Sequence, residues 1–445
     1  MPPPPTDGGG AEADATPPPP PLRPIVPYDD PWTQLRTRDA HIDAFVKPDD
    51  EVLTLSGVRD VAQQRRAACV RSGTAAVPPP TEEAASWLRR YLASLDLLVE
   101  RAGGVLASAD EEDEDHEQTF LTEWTSPLGG RAAKFLALRG AAKEQAMALF
   151  LYGALLRQLG HQALDDGLGI GGGAGGAAGG GTSGGGGGGG GAATAATEAD
   201  AAPLAEAAHH LRRAAGVFRR LADRTLPAIF LALGARDRPL EITPPAADCM
   251  ARVCLAEAQA LTAFRAEARG SPPALCCSLH LAARDLYSGA SRALRDGLAS
   301  SGATSSAGGA GGGGEHAAFA RPGDRLSRFL ALAQALSSAR ALRCAAQDLA
   351  AKFEAGAAER CCDEAARELG AAKGAADADP AWRELVKEEA ARLERDVAAG
   401  IRKDRLFVTV QPVPRDLPAL PEAKVLVTEL AFNEPFLAGG DVTAR

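Results

Sequence analysis

The sequence predicts an all-α protein with only minor, short β-strands, and three observations lead to this fold class. Apolar residues recur with helical spacing over most of the chain that is able to fold. Thr243-Pro244 and Asp379-Pro380 each pair a capping residue with a first-turn proline, which is typical of a helix start. Only 51–56 and 406–411 carry β-branched patterns of strand length.

The first strongly periodic stretch is 82–102, for which Thr81 provides an N-cap. The next stretch, 134–160, is apolar nearly all round from Ala146 to Leu156. A helix without a polar face is buried, so we expect it in the centre of the body, with Gly160 at its end.

Further helices are predicted at 204–230, 244–269, 272–298, 323–357, 358–373 and 380–403, with a kink or break at Pro227. The proline-punctuated segment 412–436 is expected to run extended along the surface. Long helices in antiparallel succession without a strong sheet indicate an elongated, solenoid-like or bundle body. No fixed repeat period is present, so a regular repeat array is not predicted.

Several segments contain too little apolar surface to fold. Residues 1–24 are rich in proline and glycine, and 168–200 and 298–315 are dominated by glycine and small residues. We therefore expect one helical domain over 25–436 with two disordered inserts, a disordered N-terminus and a flexible tail at 437–445.

Charge and cysteine content exclude several classes of protein. The net charge is -10, whereas a general nucleic-acid binder needs a basic surface, so no nucleic-acid partner is expected. The eight cysteines include no Cys-x-x-Cys pair, and buried, reduced thiols are the expectation. Without a secretory signal or an apolar run long enough to span a membrane, we expect a cytoplasmic protein.

Motifs that carry chemistry are largely missing from the sequence. Glycine-rich patterns occur only inside the low-complexity tract, and nucleotide, zinc-protease and serine-hydrolase signatures are absent. Glu206 and His209 have the spacing of half a di-iron motif, but a second copy is lacking. A solvated helix surface is the better interpretation, so the sequence predicts a non-enzymatic protein without catalytic residues, metal or cofactor.

Three motifs, in order, resemble a known family. Residues 134–160 contain the pattern of a central helix, and 404–427 contain an aromatic stretch followed by Val-Pro and Leu-Pro. Between them lies an Ala-Ala-Gly-x-Phe helix that leads to a Thr-Pro helix start and a Leu-Ala-x-Ala-Gln helix. Its matching residues are Ala214, Ala215, Gly216, Phe218, Thr243, Pro244, Leu255, Ala256, Ala258 and Gln259. The chain thus resembles the Bro-one (BRO) domain family, of the Alix and Brox kind, and is most similar to plant Bro-one-like proteins.

The resemblance implies a banana-shaped helical domain with a tetratricopeptide-like middle. It also implies an endosomal sorting adaptor, without a cofactor, that is recruited to endosomes and acts in multivesicular body trafficking. The implied partner is the C-terminal amphipathic helix of an ESCRT-III subunit, which binds in an apolar groove. Candidate groove residues lie on the two middle helices: Phe150, Leu151, Leu155, Phe218 and Leu221.

A basic helix face supports an alternative function. Residues 210–224 include five arginines, and Arg212, Arg219 and Arg220 share roughly one side of the helix. Together with Arg224 they are the four candidate residues of the basic face. Such a face suits another peptide partner or an anionic lipid surface, which would bring peripheral contact with the endosomal membrane. A solvated helix surface also accounts for it.

Overall fold

A computed structural model describes residues 23–28, 30–38, 63–65, 80–101, 121–168, 201–229, 239–305 and 322–432. The predicted strand at 51–56 lies outside these residues, as do the N-terminal 22 residues, 437–445 and most of both glycine-rich inserts. The first part of the insert expected at 298–315 is helical, because the helix from Pro273 continues to Ser305.

The described chain is mostly helical, which confirms the predicted fold class. Its α-helices are α1 Asp30–Thr33, α2 Glu82–Arg101, α3 Ala141–Gly167, α4 Ala201–Arg220, α5 Leu226–Ile229, α6 Pro244–Ala268, α7 Pro273–Ser305, α8 Asp324–Ala351, α9 Ala355–Ala376, α10 Pro380–Leu393 and α11 Ala399–Asp404. A 3-10 turn covers Leu240–Ile242, and π-helical turns cover Leu221–Thr225, Glu394–Ala398 and Arg405–Thr409. Two strands, β1 Leu121–Ser126 and β2 Arg131–Arg139, form an antiparallel hairpin.

The long helices pack in sequence order, each against the next, from α3 through α4, α6, α7 and α8 to α9. Turns of a few residues join α6 to α7 and α8 to α9, which makes these pairs antiparallel. Between α4 and α6, the chain passes through the π turn, α5 and the 3-10 turn. The result is the layered, solenoid-like succession that the sequence predicts.

The hairpin corrects the predicted helix at 134–160. Residues up to Arg139 belong to β2, which pairs with β1 in the register Glu123 to Ala137. Gly140, at φ 98°, then turns the chain into α3. Gly160 does not end this helix: a Cβ there would lie 3.1 Å from the Leu211 side chain, so the glycine permits close approach of α4.

The C-terminal helices correct two further predictions. Residues 406–409 continue the helical path of α10 and α11 and do not form a strand, and Val410 ends it at φ 46°. No strand of the described residues is paired with this segment. The helix predicted at 323–357 stops at Ala351, because Phe353 adopts a φ of 63° and α9 begins two residues later.

Buried charged groups connect the hairpin and helices to the central helix α3. Glu144 of α3 accepts hydrogen bonds from Arg65 Nε at 2.8 Å, Tyr91 at 2.8 Å and Trp124 Nε1 at 2.5 Å. All three donors are buried. A buried carboxylate with three donors is well satisfied, so this cluster fixes the hairpin and α2 on α3.

A second buried cluster joins α3 to α6. Arg157 forms an ion pair with Glu257 and donates to the backbone oxygen of Tyr28, while His161 lies 3.3 Å from the same carboxylate. Burial opposes ionisation of Glu257, but Arg157 and His161 outweigh it and lower its pKa to about 2. Burial also lowers the pKa of His161, so its imidazole is neutral near pH 7.

Candidate functional site

The structure places the five predicted groove residues in the interior. Phe150, Leu155, Phe218 and Leu221 are fully buried, and Leu151 is 1% exposed. The Phe150 and Phe218 rings meet edge to face at 5.1 Å, in the contact between α3 and α4. These side chains therefore set the spacing of the two helices. Because they are buried, they present no surface to a partner.

Half-buried apolar residues lie farther along the same pair of helices. Ala163 lies in the last two turns of α3 and Leu168 follows its end, and Leu204 and Ala208 belong to the first half of α4. All four pack against the core and keep part of their surface accessible. Leu204 and Ala208 are four residues apart, so they share one helix face. We refer to these four residues as the apolar strip.

The C-terminal segment 411–432 crosses the helical layer, as the predicted extended path requires. The Gln411 side chain accepts from Gly356 N, Lys424 N donates to Ser278 O, and Leu430 N donates to Arg212 O. These bonds attach it in turn to α9, α7 and α4. The amide of Leu426 and the oxygen of Lys424 both bond to the Gln259 side chain of α6.

The same segment occupies most of the predicted basic face. Arg212 Nε donates to Thr428 O at 2.7 Å, and the Arg220 guanidinium lies 5.4 Å from the centre of the Phe432 ring. Arg219 pairs with Asp248 of α6. Of the four predicted arginines, Arg224 is exposed in the π turn that follows α4. The other three contact residues of neighbouring elements.

Glu206, the carboxylate of the half di-iron motif, lies at the surface of α4. Its side chain is 66% exposed, and its carboxylate lies 3.9 Å from His210, one position beyond the histidine of the motif. Among the described residues, a different group has metal-ligating geometry, and it comprises Glu267, His280 and Cys344. Sequence reasoning missed it because the three residues belong to separate helices.

A cavity of 290 Å³ adjoins this second group and lies among α6, α7, α8 and α10. Arg343 Nη2 lies 2.7 Å from Glu267 Oε2, and His280 Nε2 lies 2.5 Å from Glu267 Oε1. Burial raises the pKa of Glu267, but the bonds from His280 and Arg343 outweigh it and hold that pKa far below its usual range. The carboxyl is therefore ionised at any physiological pH.

Exposed apolar side chains surround the turn between α8 and α9 and the end of the last helix. Phe353, Phe407, Val408 and Val410 are each more than 70% exposed. Gln411 connects the two parts, since its side chain donates to Phe353 O and accepts from Gly356 N. Phe353 and Val410 both have positive φ, a conformation that costs a non-glycine residue free energy.

None of the described helices combines the length and apolarity needed to cross a membrane. The family model for the BRO1-like domain matches residues 191–441, which is more than half of the chain. No curated protein matches the chain.

Solved structures share the fold at low sequence identity. ALIX in complex with the SIVmac239 PYKEVTEDL late domain aligns with a TM-score of 0.58 and 16% identity over 90% of this chain. The alignment covers 48% of that ALIX chain, so this protein spans about half its length. The ALIX BRO1 CHMP4C complex gives 0.56 and 16%, covering 90% of this chain and 94% of that one. A Bro1 domain solved to explain endosomal targeting gives 0.56 and 12%, covering 91% and 93%.

Proposed function

The chain belongs to the BRO1-like domain family, and we propose that it is a non-enzymatic endosomal sorting adaptor that binds the C-terminal amphipathic helix of an ESCRT-III subunit. The observation that carries this proposal is the fold shared over 90% of the chain with an ALIX BRO1 domain whose complex contains CHMP4C. Its place of action is the multivesicular endosome, to which partners recruit it from the cytoplasm.

The proposed groove runs along α3 and α4, over the five buried residues predicted from the sequence. Because Phe150, Leu155 and Phe218 have no accessible surface, their role is to hold the helices at the spacing that forms the groove. The apolar strip, including Leu204 and Ala208, supplies surface at one end. An amphipathic helix binds such a surface through apolar anchors three and four residues apart.

This arrangement decides which substitutions make a useful test. A charge at Leu155 or Phe218 would be buried without a partner, which costs several kcal/mol and unfolds the domain. Ala208 is half-buried and keeps part of its surface accessible, so an aspartate there can reach solvent and is expected to leave the fold intact, which circular dichroism checks. Ala202 is exposed on the same helix and is neither three nor four residues from Leu204 or Ala208, so Ala202→Asp adds the same charge to the same element away from the strip.

The experiment measures binding of the full chain to synthetic C-terminal helices of ESCRT-III subunits, including that of CHMP4C, by fluorescence anisotropy. We expect wild type and Ala202→Asp to bind alike and Ala208→Asp to bind at least tenfold more weakly. Binding through apolar anchors should also persist at high salt. No binding to any such helix by folded wild type would refute the adaptor function. Equal binding by all three proteins would refute only the role of the apolar strip as part of the binding surface.

A further inference from the structure

We propose that Glu267, His280 and Cys344, with Cys276 as a fourth ligand, form a binding site for one zinc ion. The site involves α6, α7 and α8 and is independent of the proposed helix-binding groove. It lies beside the 290 Å³ cavity, which Cys276 and Cys344 both line.

Geometry is the first argument for this site. One ligand atom from each of Glu267, His280 and Cys344 lies within 4.8 Å of the other two. Glu267 Oε1 is the common point, at 2.5 Å from His280 Nε2 and 3.6 Å from Cys344 Sγ. Zinc bonds of 2.0–2.3 Å in a tetrahedron place ligand atoms roughly 3.3–3.8 Å apart. Shifts of about 1 Å or less convert this hydrogen-bonded cluster into a ligand set.

The fourth ligand, Cys276, is inferred from its position in the sequence. It precedes His280 by four residues on α7, so both side chains project from one helix face. His280, Cys276 and Cys344 are all buried. Two sulfurs, an imidazole and a carboxylate favour zinc over calcium or magnesium, which prefer oxygen alone.

The surrounding charges fit a divalent cation once both thiols lose their protons to solvent. Arg343 and Arg392 face the other carboxylate oxygen, Glu267 Oε2, at 2.7 and 3.5 Å. Asp396 lies 3.6 Å from Arg392. Two thiolates, Glu267 and Asp396 balance both arginines and one zinc ion. The arginines orient the carboxylate and leave Oε1 for the metal, as outer groups do at known metal sites.

The ring nitrogen His280 Nδ1 sets a limit on affinity. It is buried without a hydrogen-bond partner in the described residues. Metal binding at Nε2 places the ring proton on Nδ1, where an unsatisfied N–H costs about 1–3 kcal/mol. That cost weakens binding by roughly 5-fold to 150-fold, so the test supplies metal in excess and does not depend on co-purified zinc.

The experiment titrates the full chain under reducing conditions with Co²⁺, whose tetrahedral thiolate complexes absorb in the near ultraviolet and the visible. We expect one equivalent to bind with a thiolate charge-transfer band, and zinc to displace it. Cys344→Ala should lose the band, whereas Cys362→Ala, which removes a buried thiol outside the cluster, should retain it. Zinc should raise the thermal midpoint of wild type and Cys362→Ala only.

Circular dichroism confirms that each variant is folded. If Cys344→Ala does not fold, Cys276→Ser supplies the comparison, with the expected loss of about half the charge-transfer intensity. Absence of a thiolate band in folded wild type at excess Co²⁺ would overturn the proposal. A band that survives both Cys344→Ala and Cys276→Ser would overturn it as well, because other thiols would then be the ligands.

Discussion

Replacing Gly216 with alanine is expected to release the C-terminal segment from α4 while the helical body stays folded. A Cβ at this position would overlap the carbonyl oxygen of Leu430 and lie 2.9 Å from its carbonyl carbon. One of the two backbones must move. Because α4 is packed between α3 and α6, the extended segment is the one that yields.

The magnitude follows from the contacts that the segment loses. The hydrogen bond from Leu430 N to Arg212 O contributes about 1 kcal/mol. Phe432 against Tyr152 and Arg220 contributes a further ~1–2 kcal/mol. Alanine within a helix is about 1 kcal/mol more favourable than glycine, but this gain remains after release. The free energy of local opening at the Leu430 amide should therefore fall by about 2–3 kcal/mol, which makes its hydrogen exchange roughly 30-fold to 150-fold faster.

Hydrogen exchange at the Leu430 amide measures this effect directly. Gly374→Ala is the matched control, since nothing lies within 4 Å of a Cβ at that helical position. The control should keep the protection of Leu430 and gain up to about 1 kcal/mol in the free energy of unfolding. Unchanged exchange of Leu430 in Gly216→Ala would refute the close-approach explanation for this glycine.

Three further outcomes are expected. Burial raises the pKa of Glu241 to about 7, so its ionisation destabilises the fold as pH rises from 4.5 to 7. Across that range, urea unfolding should show wild type losing about 3 kcal/mol relative to Glu241→Gln, and parallel profiles would contradict this. Phe353→Gly should raise the unfolding free energy by about 1 kcal/mol by relieving its positive φ, whereas Phe353→Ala should bring no such gain. Gly216→Ala should increase salt-sensitive binding to anionic liposomes by freeing Arg212 and Arg220, and equal binding by wild type would count against masking by the segment.

Helix periodicity predicts most of this fold because each long helix buries one stripe or its whole circumference. The central position of α3 follows from its nearly continuous apolar sequence, and Pro244 and Pro380 mark helix starts correctly. The hairpin was missed because Arg131–Arg139 continues the alanine- and leucine-rich composition of the following helix. What separates strand from helix there is pairing with β1, a segment that lies just before it in the chain but was not predicted to form a strand.

The candidate site could be predicted less well, for a different reason. An apolar residue such as Phe218 has the same sequence signature whether it lines a groove or fills the interior. Only the packing of α3 against α4 decides between the two. Arg212 and Arg220 were predicted to share a basic face, and a segment more than 200 residues later in the chain contacts both side chains. Of the four proposed zinc ligands, the sequence can associate only Cys276 and His280, because they are four residues apart on one helix. Glu267 and Cys344 lie on two other helices, and only the packing of the helices brings them to the site.

Both ends of the described domain are held chiefly through backbone atoms. Arg340 donates to the carbonyl oxygens of Pro24 and Arg23, and Trp382 Nε1 donates to Pro27 O at 2.6 Å. Near the C-terminus, Arg212 and Gln259 bind backbone groups in the same way. A carbonyl oxygen is present whatever the side chain, so these contacts constrain the path of the chain and leave its sequence free to vary. Such anchoring does not depend on the side chains at the anchored positions, in keeping with a fold that this chain shares with solved structures at 12–16% identity.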